Sequence, residues 1–111
     1  MRRCISMAGL LWLACYMQAA LADPHLRVLA ASCAACHGTN GNSVGGTPVL
    51  AGLAPDYFIT QMQAFRSGTL PSTVMYRHAK GLTEAEIDQL AHYFAAQPRY
   101  SATLPPKVET P

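Results

Sequence analysis

Apolar positions recur at helical spacing in three separate stretches of the chain. Leu26, Leu29, Ala30 and Cys33 fall at i, i+3, i+4 and i+7, one face of a helix. Asp23-Pro24 precedes them, a cap residue followed by proline at the first helical position. Phe58, Met62 and Phe65 share the face of a second helix, predicted from Pro55-Asp56 to about Ser67 with Gly68 as its stop. Arg66 lies near the end of that helix, where a cation suits the dipole. The third stripe is Ile87, Leu90, Ala91 and Phe94. It follows a capping box, Thr83 with Glu86, and a Leu82–Ile87 staple, and Pro98 limits its extension.

The segments between these stripes read differently. From Gly38 to Leu53, five of 16 residues are glycine, which argues for a backbone that hugs another group rather than for regular structure. Leu70 to His78 shows little helical pattern and is read as a loop. Residues 98–111 hold four prolines and no helical period, so they read as an extended arm or a disordered tail. The expected architecture is all-α: three main helices with loops, in one domain over residues 23–97.

Residues 1–22 stand apart. Arg2-Arg3, an 11-residue apolar run from Met7 to Met17 and a closing Ala20-Leu21-Ala22 describe a secretory signal cut after Ala22. Two rival readings are an uncleaved anchor helix and a lipid-modified Cys15. The apolar run is well short of the roughly 20 residues a span needs, and Trp12 stands where a lipoprotein signal wants a small aliphatic residue. Cleavage would place the domain in the periplasm, with no stable membrane insertion.

Removing the signal changes the charge. The full 111 residues carry eight basic and six acidic side chains. Arg2 and Arg3 leave with the signal, so the mature 89 residues balance six against six. No basic stripe remains to neutralise phosphates, so a nucleic-acid partner is not expected. Cys4 and Cys15 leave too, and only Cys33 and Cys36 remain. A disulfide between them would close too short a loop to stabilise much, yet an exported domain this small needs support beyond its core.

Cys33-Ala34-Ala35-Cys36-His37 supplies a candidate for that support. The pattern is the attachment signal for c-type haem. Two thiols three positions apart on a helical turn reach two vinyl groups on one porphyrin edge, and His37 then falls beneath the iron as an axial ligand. A thioredoxin-type dithiol would need a preceding strand, and none is patterned there. A zinc site would need a second close ligand pair, whereas His78 and His92 lie 14 apart. A structural disulfide leaves His37 without a role. An axial imidazole needs an acceptor for its second nitrogen, and the Pro48 carbonyl is the candidate.

For the sixth ligand, Met62 sits mid-helix on an apolar face, where methionine usually fills core. Met75 lies between Gly68 and Gly81, free of that face, and a soft thioether would raise the potential. His78, then His92, are the rivals, and an open position is the remaining alternative. His25, Arg77 and Lys80 read as solvated.

With these residues in place the chain resembles a family. One CxxCH near the start of the mature chain, Pro48-x-Leu50-x-Gly52, a later methionine and a capped last helix look like a class I cytochrome c, over about residues 24–97. The resemblance implies an all-α fold around one covalent haem c, with His37 and Met75 as axial ligands. Thr47 to Gly52, Asp56-Tyr57-Phe58, Gln61-Met62, Phe65 and Thr73 to Thr83 are similar to the cytochrome subunit of flavocytochrome c sulfide dehydrogenase. That likeness implies an electron-transfer role rather than catalysis, with an FAD-bearing sulfide-oxidising subunit as donor and other redox proteins as acceptors. Small cytochromes of the c4/c553-like group share part of the pattern, so a free-standing electron shuttle is the alternative. A haem enzyme with five-coordinate or cysteine-ligated iron is a third class, and no mature cysteine is spare for such ligation.

Overall fold

A computed structural model describes residues 23–100, and residues 1–22, read above as a signal, and most of the Pro-rich tail lie outside the described residues. The chain forms α1 (Pro24–His37), a 3₁₀ turn (Thr39–Gly41), α2 (Pro55–Ser67), α3 (Met75–Gly81) and α4 (Glu84–Ala95), with no strand among the described residues.

Local chemistry sets most of the boundaries. Asp23 accepts the His25 backbone N–H at 3.0 Å and Pro24 opens α1. Pro55 likewise opens α2, and Gly68 closes it in the left-handed region at φ 80°. Thr83 and Glu86 form a reciprocal capping box at the start of α4.

The apolar stripes meet in one core of Ala30, Phe58, Met62, Ala79, Ile87, Leu90, Ala91 and Phe94. Helix α2 lies against both α3 and α4, and α1 packs on α4. Phe94 is the hub, with its ring centroid 5.9 Å from that of Phe58 and 5.2 Å, edge-on, from that of Tyr93.

One expectation is corrected. The stretch read as a loop carries a helix, because Met75 to Gly81 is helical and Met75 is its first residue. Propensity alone does not explain seven residues holding this shape. Packing and a local bond do: Ala79 is fully buried, and Ser72 Oγ, four positions earlier, accepts the Tyr76 N–H at 2.9 Å. At the other end of the domain, residues 98–100 are fastened down. Asn42 donates to the Pro98 carbonyl at 3.0 Å and accepts from the Tyr100 N–H at 2.9 Å, while Arg99 donates to the Ala51 carbonyl at 3.2 Å.

The α4 cap gives the fold an acid-sensitive point. Glu86 accepts the Thr83 N–H at 2.7 Å and the His25 Nε2–H at 2.7 Å, and these bonds hold its carboxyl below the ordinary 4.5. A carboxyl depressed on folding contributes stability above its unfolded value and loses it as pH falls through the folded one. Thermal stability is therefore expected to fall as pH drops below 4.5, and Glu86→Gln to flatten that slope. An unaltered slope in the variant would locate the sensitivity elsewhere.

Candidate functional site

Helix α1 places the Cys-Ala-Ala-Cys-His run on its last turn. Cys33 is half-buried against the core, its Sγ donating to the Leu29 carbonyl at 3.4 Å, whereas Cys36 is exposed. Neither is in a disulfide. Burial pushes the Cys33 thiol above its ordinary value and a hydrogen bond with the Ser32 side chain draws it partly back, so it remains protonated at neutral pH.

His37 is 8% exposed, the one buried polar residue among those described. Its Nδ1 lies 2.7 Å from the Pro48 carbonyl oxygen. A carbonyl can only accept, so Nδ1 carries a proton and Nε2 is the nitrogen left to bind a metal. Eleven residues separate the two partners, and the intervening loop is held by backbone bonds. The Leu50 and Ala51 amides donate to the Gly41 carbonyl at 2.8 and 3.1 Å, and the Gly52 amide donates to Phe94 of α4 at 2.9 Å. Gly41 permits this closeness. Its φ is +75°, and a Cβ there would sit 2.8 Å from the Leu50 side chain and 2.9 Å from the Phe94 ring. Tyr93 adds a tie from α4, donating to Asn40 at 3.1 Å.

Met75 is half-buried and packs against the same core as Cys33, while Met62 is itself core at 5% exposure. His78 and His92 both face solvent, and His92 donates Nδ1–H to the Asp88 carbonyl at 2.9 Å. Arg77 and Lys80 are exposed, each lying over the Tyr76 ring. A cavity of about 220 Å³ opens between the end of α2 and α3, lined in part by Phe65, Leu70, Ser72 and Tyr76. Its lining includes none of Cys33, Cys36, His37 and Met75. The chemistry therefore lies with the donor set rather than with that cavity.

The donors suit a covalently tethered iron porphyrin. Two thiols outside any disulfide lie a helical turn apart, and the next residue is an imidazole whose Nδ1–H is committed to a carbonyl. Among the described residues, no three of His, Cys, Asp and Glu gather as a cage for a bare metal ion. The residue the sequence reading undervalued is Arg66, which reaches from α2 to the far end of α3. Its position before Gly68 reads only as a dipole complement, because two of its three partners are backbone carbonyls with no signature in composition and the third, the Glu84 carboxylate, lies 18 positions away.

Comparison with known proteins agrees. The chain is 49% identical over 67 residues to the cytochrome subunit of sulfide dehydrogenase of Chlorobaculum tepidum, covering 60% of this chain and 61% of that protein. It is 39% identical over 99 residues to the thiosulfate dehydrogenase electron acceptor of Thiomonas intermedia, covering 86% of this chain but 44% of that one. The chain thus spans less than two thirds of either relative. With cytochrome c-554(547) of Halothiobacillus neapolitanus it shares 40% identity over 76 residues, 84% of that protein. The sequence model of the cytochrome c family matches residues 27–97, a span that takes in the thiol pair, His37 and part or all of every helix. The chain belongs to the cytochrome c family, whose members hold haem c covalently.

Proposed function

We propose that this chain is a periplasmic, monohaem electron carrier that serves as the haem subunit of a sulfide-oxidising flavoenzyme. Bound haem would supply a one-electron Fe(III)/Fe(II) couple, and the chain's residues hold and tune it. Cys33 and Cys36 tether its edge. His37 would offer Nε2 to the iron, its ring fixed by the Pro48 carbonyl. Met75 would offer a neutral, soft sulfur, which favours Fe(II). The single CxxCH in the chain supports one haem. Oxidation of sulfide belongs to the partner in this reading, since this chain's residues would hold haem and pass single electrons.

The observation that carries the haem assignment is the His37–Pro48 hydrogen bond, which leaves one imidazole nitrogen for iron. The partner rests on the 49% identity to a sulfide dehydrogenase cytochrome subunit. Export rests on the sequence of residues 1–22; within residues 23–100, no helix is long and apolar enough to cross a membrane. A second reading, a free carrier, draws on the likeness to the thiosulfate dehydrogenase electron acceptor. Purification from the native periplasm separates the two. The expected result is haem absorbance eluting with an FAD-containing subunit, and a haem protein eluting alone, free of flavin, would overturn the subunit assignment.

A further inference from the structure

Helix α3 begins at Met75, yet its own sequence gives it little means of support. It has seven residues, its N-cap Val74 makes no side-chain cap bond, and the chain leaves it extended at Leu82. Helices this short do not persist alone in water, and the last carbonyls of any helix lack intrahelical donors.

One side chain from the neighbouring helix supplies those donors. Arg66, in the last turn of α2, donates Nε–H to the Ala79 carbonyl at 3.1 Å, Nη2–H to the Leu82 carbonyl and Nη1–H to the Glu84 carboxylate. All three guanidinium nitrogens are engaged, and the side chain is 28% exposed. The acceptors lie at the end of α3, just past it and at the start of α4. A planar fork can bridge them together, whereas a lysine ammonium is a single point on a flexible stem. Ser72 secures the opposite end of α3 through the Tyr76 N–H. Buried Ala79 pins the middle to the core.

We propose that Arg66 is the positioning residue for the sixth ligand: by clamping the C-terminal end of α3 it fixes where the Met75 thioether sits. The inference rests on Met75 being that ligand. Arg66 acts through helix position alone, since its hydrogen bonds go to the α3–α4 junction rather than to Met75. Loosening the clamp raises the fraction of molecules in which the sulfur has left the iron. An added small ligand binds only that fraction, so its apparent affinity rises in proportion.

The test is imidazole titration of the ferric holoprotein, with the sulfur-to-iron charge-transfer band followed in parallel. Arg66→Gln is expected to tighten apparent imidazole binding by about tenfold or more and to weaken the band. Arg66→Lys should fall between the variant and the parent, and it carries the test if Arg66→Gln yields no holoprotein. In a Met75→Ala background, Arg66→Lys or Arg66→Gln should add nothing, because no sulfur remains to position. An Arg66 effect of equal size in that background would show a general structural role and overturn the inference. So would parent-like imidazole binding in both Arg66 variants while Met75→Ala binds imidazole tightly. If Met75→Ala itself keeps the band, the ligand assignment falls instead.

Discussion

Phe94→Ala is expected to lower the unfolding free energy by about 3–5 kcal/mol, a large share of the ~5–15 kcal/mol that holds a typical domain together. The ring is 1% exposed and its loss opens a void that several elements share. It packs at a tilt against Phe58 of α2 and lies edge-on to Tyr93 within α4. It also fills the space that glycine leaves at position 41. The surrounding groups are poorly placed to collapse, since Gly41 and Gly52 are tied through backbone bonds that would have to break. Equilibrium denaturation of the holoprotein measures the cost. Phe94→Leu keeps more apolar volume and should lose clearly less. A loss below about 1 kcal/mol for alanine would show that α4 is held by something other than this ring.

His37→Ala carries the largest functional effect. The variant removes the buried imidazole whose Nδ1–H is held by the Pro48 carbonyl, and neither His78 nor His92 is placed to substitute, because both face solvent. The expected outcome is complete loss of the sharp low-spin spectrum of the reduced protein, even in chains whose Cys33 and Cys36 have become thioethers. Visible spectra, read beside the intact mass, separate loss of ligation from loss of attachment. A variant of haem-bearing mass with an unchanged reduced spectrum would remove His37 from the iron.

What could be read from the chain, and what could not, divides by sequence distance. Asp23-Pro24, Pro55, Gly68 and the Thr83–Glu86 box act within a few residues of where they stand, and the helices they bound lie where the pattern places them. The Cys33–His37 run is contiguous and equally legible. Helix α3 is not, because its supports come from elsewhere: Arg66 stands 13 residues before the Ala79 carbonyl it serves. Hence Met75 could be singled out by its chemistry while its place on a helix could not. The same holds for residues 98–100, which composition reads as the start of a loose tail. Their partner Asn42 lies 56 residues from Pro98 and 58 from Tyr100, a separation at which no local pattern operates.

The inward-turned amides of Leu50, Ala51 and Gly52 have a bearing on fluctuation. By composition this glycine-rich stretch would be the first to open. The Leu50 and Ala51 N–H groups are spent on Gly41 and that of Gly52 on the last turn of α4, so releasing the Gly52 proton to solvent requires the loop to part from the final helix. Solvent exchange at Gly52 is thereby tied to the cooperative unit that includes α4, four positions beyond the Pro48 carbonyl that orients His37.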